Sequence, residues 1–155
     1  MKAKRCRILD SFDYKIFKGN IWAEKFPEIK VNISSGNIYK HFFDSKIVIS
    51  TYNATSFLET LSLNIPTIVF WDEKYFQLND EAIVYFELLK EAKIFHADIK
   101  SASDHLIKIW DNVENWWFDD EVQKIREIFC SNFANINGLN IRKFYKFLSY
   151  SADNL

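Results

Sequence analysis

Between two apolar runs lies a segment dense in hydroxyls and amides, Ser50-Thr51-Tyr52-Asn53-Ala54-Thr55-Ser56, with a carboxylate just beyond it at Glu59. Ile47-Val48-Ile49 before it is β-branched and strand-like, and Phe57, Leu58 and Leu61 after it fall at helical spacing. A polar turn that leaves a strand and feeds a helix can hold an anion. The backbone N–H groups of the first helical turn point at the ligand, and the helix dipole favours negative charge there. Thr55 and Ser56 would add hydroxyls to such a cradle. Glu59, one turn into the helix, can accept hydrogen bonds from a ribose diol, as acidic residues do in other nucleotide folds. The same residues allow a structural reading. Ser56 and Glu59 match a capping box, Ser-x-x-Glu, in which each bonds the helix's own backbone and neither meets a ligand.

The other reactive residue types are scattered. No two of His41, His96 and His105 lie three or four residues apart, so no metal site is expected. His96 follows a short apolar run and could line the same crevice as the turn, although a lone histidine at a strand end commonly has a structural role. His41 and Asp44 read as a surface pair, and His105 as a helix-surface or packing residue. The three glycines, Gly19, Gly36 and Gly138, exclude a multi-glycine phosphate loop, and there is no nucleophile elbow or dinucleotide fingerprint. Arg5 and Arg7 read as a solvated terminus. Trp116-Trp117 could stack on a base or sugar, but packing of the C-terminal helices is the simpler reading. Cys6 and Cys130 show no paired spacing and are expected to be reduced. No residue is assigned as catalytic.

These groups need a scaffold, and the chain alternates strand and helix. Strands are expected at Cys6–Leu9, Ile29–Ile33, Ile47–Ile49, Thr67–Trp71 and Ile94–His96. One or two helical turns fit Ile21–Phe26, and a short helix begins after Gly36 with Ile38 and Phe42 on one face. Ala82, Tyr85, Phe86 and Leu89 form a helical stripe, with Asp80 and Glu81 in its first turn. Ser101 or Ser103 is expected to cap a helix carrying Leu106, Ile107 and Trp110. Asp119-Asp120 open a longer helix, and Ile141–Tyr150 a last one. The pattern predicts an α/β fold, a Rossmann-like parallel sheet of about five strands with helices on both faces and a helical C-terminal tail.

With 155 residues the chain is expected to form a single domain, 1–155. Its 20 basic and 21 acidic residues leave no basic stripe for nucleic acid. No apolar run is long enough to span a membrane, and the basic N-terminus is not followed by a signal-peptide core.

The run Thr51–Asp72 closely resembles the C-terminal part of a family of transferases from bacterial O-antigen and surface-polysaccharide clusters. Ile94-Phe95-His96, Ile109-Trp110, Trp116-Trp117, Val122-Gln123 and Phe129-Cys130 resemble later landmarks of that family, in the same order. The family is similar to GT-B glycosyltransferases, in which two Rossmann-like halves face each other and the C-terminal half binds the nucleotide-sugar donor. The resemblance implies a GT-B C-terminal half. Thr51, Asn53, Thr55 and Ser56 would meet the donor phosphates, Glu59 the ribose or sugar hydroxyls, and His96 the same crevice. It implies glycosyl transfer from a nucleotide-activated sugar, with no cofactor and no tightly bound metal. The N-terminal acceptor half is expected to be absent from the chain, so a separate half or partner chain would complete the cleft and the chain alone would be inactive. The resemblance places the protein in the cytoplasm, peripheral to the inner membrane face. Two alternatives stay open: a non-catalytic binding or assembly module, and a polyol-phosphate transferase of the teichoic type.

Overall fold

The computed structural model describes residues 6–7, 25–28, 31–32, 38–72 and 74–134. The expected helices at Ile21–Phe26 and Ile141–Tyr150 lie outside these, the first save for its last two residues, as does Arg5. The chain divides into two units, Met1–His41 and Phe42–Leu155. In the first, β1 (Cys6–Arg7) pairs in parallel with β2 (Val31–Asn32), at the expected places. Helix α1 (Ile38–Phe43) carries the chain onward. Phe42 is buried on the expected face and Ile38 half-buried, while Phe43 is exposed.

The second unit holds a three-stranded parallel sheet in the order β3 (Val48–Ser50), β4 (Thr67–Phe70), β5 (Phe95–His96). The described strands thus form two parallel sheets, of two and three strands. Helix α2 (Thr55–Ser62) joins β3 to β4, and α3 (Asp80–Glu91) joins β4 to β5. Beyond β5 come α4 (Ile99–Ile109), a 3-10 turn (Trp110–Asn112), α5 (Val113–Trp117) and α6 (Asp120–Phe133).

Strand alternation sorts the core into two layers. Val69, Trp71 and Phe95 point to the side covered by α2, α3 and α6, where they meet Phe57, Phe86 and Phe129. Ile68 and Phe70 point to the other side, against Ala102, Leu106 and Ile109 of α4. A central strand covered on both faces must be apolar throughout, which is why Thr67–Phe70 reads as a continuous run. Both β-α-β crossovers place their helix on one face while the sheet advances one way, as a single crossover hand requires. The first layer is aromatic. Trp71 stands 4.6 Å from Phe95 and 5.4 Å from Phe86, centroid to centroid, and Phe86 meets Phe129 edge-on at 5.4 Å. Such pairs contribute about 0.5–1.5 kcal/mol each beyond their burial.

Two helices stop alike, and without glycine. After α2 the chain turns at Asn64 (φ 54°) and after α3 at Lys93 (φ 59°). The N–H of Asn64 donates to Leu61 and that of Ile65 to Thr60; Lys93 and Ile94 donate likewise to Lys90 and Leu89. This is the Schellman arrangement, which satisfies otherwise orphaned carbonyls. The adjacent tryptophans bind next to these two stops. Trp117 donates its indole N–H to Asn64 Oδ1 at 2.9 Å, and Trp116 donates to the Ala92 carbonyl at 3.0 Å. Trp116-Trp117 is therefore a packing pair that ties α5 to the ends of α2 and α3. Arg126 of α6, 8% exposed, adds a bond from Nη1 to the Leu61 carbonyl at 3.1 Å.

Candidate functional site

The turn 51–56 emerges at the carboxyl end of β3, the edge at which open parallel sheets bind ligands. Thr51, Asn53 and Thr55 are exposed, and Ser56 and Glu59 are half-buried. Ser50 beneath them is buried, and its hydroxyl donates to the Tyr52 carbonyl at 3.4 Å. Ala54 is the residue that opens α2. Its backbone is extended (φ −141°, ψ 165°), and no side chain caps the helix.

That start overturns the capping-box reading, and the reason is register. Phe57, Thr60 and Leu61 are the buried residues of α2, at 2%, 0% and 0% exposure, and burying this stripe fixes where the first turn falls. Ser56 then lies inside the first turn rather than ahead of it, and Glu59 lies too deep to reach back to the entry N–H. Among the described residues, the first-turn N–H groups have no side-chain acceptor. A helix of the same chain shows the contrast: α3 is capped by Asn79, whose Oδ1 accepts from Ala82 at 2.9 Å. One strand across, Trp71 follows β4 with its indole N–H buried and without a partner among the described residues.

His96 is held elsewhere. It closes β5 at 3% exposure, with Nδ1 2.7 Å from Ser101 Oγ and Nε2 3.0 Å from the Lys93 carbonyl. A carbonyl only accepts, so Nε2 carries the proton and Nδ1 accepts from Ser101. Burial lowers its pKa from the ordinary value, only partly offset by the Lys93 carbonyl. Both ring nitrogens are engaged, which leaves none for a ligand at the turn. β4 also separates β5 from β3. The structure thus brings Thr51, Asn53, Thr55, Ser56 and Glu59 onto one strand-turn-helix unit and leaves His96 outside it.

His96 instead borders an open pocket of about 500 Å³ between the Lys93 turn and α4. Lys93, Ser101, His105 and Lys108 line it, and no residue of the turn 51–56 does. Helix α4 is capped by Asp98, which accepts from the Ser101 N–H at 2.8 Å, rather than by Ser101 or Ser103 as expected. His105 stacks near His96, ring centroids 5.5 Å apart, and burial, with His96 and the neighbouring lysines, pushes its pKa down to about 4. Sequence reasoning missed this pocket. The only local signal was Ser101, His105 and Lys108 on one helix face, and Lys93 joins them only through the β5 turn.

A parallel sheet with helices on both faces and a polar turn at a strand's carboxyl end defines an α/β protein. The family model described as LIC12162 family transferase matches residues 3–148. The chain belongs to the LIC12162 family of transferases. Comparison with curated proteins and with solved structures returns no match. Among the described residues no helix is long and apolar enough to cross a membrane.

Proposed function

We propose that this chain supplies the nucleotide-sugar-binding half of a GT-B-like glycosyltransferase that assembles bacterial surface polysaccharide such as O-antigen, working at the cytoplasmic face of the inner membrane. The observation that carries this reading is the open amino terminus of α2, with exposed Thr51 and Asn53 ahead of it, exposed Thr55 in its first turn and Glu59 one turn in. In this reading the donor diphosphate lies against the N–H groups of Thr55, Ser56 and Phe57, and the Glu59 carboxylate accepts from the ribose or sugar hydroxyls. During transfer the bond between the anomeric carbon and the phosphate oxygen breaks, and an acceptor oxygen bonds to that carbon. The departing nucleoside diphosphate keeps the electron pair, and the positive end of α2 stabilises its growing charge. The acceptor and the base that takes its proton belong to a facing half, so the isolated chain should bind donor and turn it over little or not at all.

Titrating nucleoside diphosphates against the chain, with Glu59→Ala as control, tests the reading. Binding weakened about tenfold by Glu59→Ala supports it, one charge-assisted hydrogen bond being lost. No binding of any nucleotide would favour a non-catalytic assembly module.

A further inference from the structure

We propose that the pocket between the Lys93 turn and α4 binds a small phosphorylated sugar or polyol, at a site separate from the turn that opens α2. Its volume of about 500 Å³ lies within the range of small-molecule sites and exceeds the needs of a bare inorganic anion. Every residue that lines it carries a polar or charged group able to hydrogen-bond a ligand.

The donors are ammonium groups. Lys93, Lys100 and Lys108 border the pocket, all exposed, and none of the ion pairs among the described residues engages them. Two aspartates oppose them. Asp98 already accepts the Ser101 N–H, and Asp104 stands one helical turn from Lys100 and from Lys108. With both histidines neutral the lining keeps one net positive charge.

The acceptors are neutral. Ser101 gives its hydroxyl proton to His96, so its oxygen keeps lone pairs for a ligand. His105 Nε2 is buried without a hydrogen-bond partner among the described residues, and the Trp116 ring stands T-shaped to the imidazole at 4.9 Å. With Nε2 buried, Nδ1 is the ring nitrogen left to meet a ligand. Ammonium donors beside hydroxyl acceptors complement a phosphate dianion that carries hydroxyl groups. The inference does not depend on the donor reading of the turn 51–56.

The test titrates the full chain with glucose 6-phosphate, inorganic phosphate and glucose, following heat and the ¹⁵N resonances of the His105 ring. The expected order is glucose 6-phosphate tightest, phosphate weaker and glucose undetectable. Lys93→Asn combined with Lys108→Gln should weaken glucose 6-phosphate at least about tenfold. Asparagine tolerates the left-handed backbone at position 93, and both side chains are exposed, so the fold should hold. Glucose binding as well as its phosphate, indifference to the double variant, or no binding of either phosphate would overturn the proposal. So would loss on Ala54→Asp with the lysine variant unaffected, which would assign the phosphate to the turn. Should the double variant unfold, the His105 Nδ1 resonance decides: it moves with glucose 6-phosphate, or the proposal fails.

Discussion

At its carboxyl end α2 is held by the left-handed Asn64, the indole N–H of Trp117 and the guanidinium of Arg126, whereas at its amino end the extended Ala54 offers no capping side chain. The two ends of one eight-residue helix are therefore finished in opposite ways. The carboxyl end is closed by groups from α5 and α6, far along the chain, and lies against the aromatic layer. The amino end faces outward with hydroxyls around it. A helix anchored at one end can leave the other end's N–H groups unmatched without fraying. The difference separates residues that hold the fold from residues free to meet a ligand.

The largest effect should come from the anchored end. Trp117 is fully buried, and Trp117→Ala should cost about 3–5 kcal/mol, read from the urea midpoint. Arg126→Ala should cost less, about 1–3 kcal/mol, because it leaves one carbonyl of the α2 stop without its charged donor. Nucleotide affinity of the folded fraction should be unchanged in both, and a selective loss of affinity would break the separation of the two ends.

The opposite sign is expected at the open end. Ala54→Asp supplies the missing cap and should stabilise the protein by about 1 kcal/mol. The same carboxylate occupies the N–H groups and repels a phosphate, so nucleoside diphosphate affinity should fall at least about tenfold. A variant both more stable and equally tight-binding would show that this helix end does not bind the ligand.

A pH-dependent effect lies at the α3 stop, where His96 and His105 pack. Burial lowers both pKa values, that of His105 to about 4, so the folded state favours the neutral rings. The unfolded chain takes up protons below about 6.5 and the folded chain only lower. Their contribution is thus complete above about 6.5 and is lost as pH falls towards about 4. The urea midpoint should drop between neutral pH and about 5, and His105→Gln should flatten that drop.

The strands and their order along the chain were legible because β-branched runs mark strands. Ile47-Val48-Ile49 and Thr67–Trp71 needed nothing else, and Asn64-Ile65-Pro66 marked the stop between them. The start of α2 was misread because Ser56-x-x-Glu59 has the local form of a cap, while burial of Phe57 and Leu61 against the sheet sets the register. The cap at Asp98 was hidden behind two nearby serines that compete for the same role. The roles of Trp116 and Trp117 carry no local signal, since each closes a helix that ended about two dozen to fifty residues earlier. The Lys93 pocket was invisible for the same reason: a turn assembles it, not a spacing.

The most direct measurement follows the backbone amide resonances of the chain while a nucleoside diphosphate is added. The account predicts saturable shifts at Thr55, Ser56 and Phe57, lost in Ala54→Asp. Amides at 55–57 that stay still while others move, or that shift equally in Ala54→Asp, would contradict it.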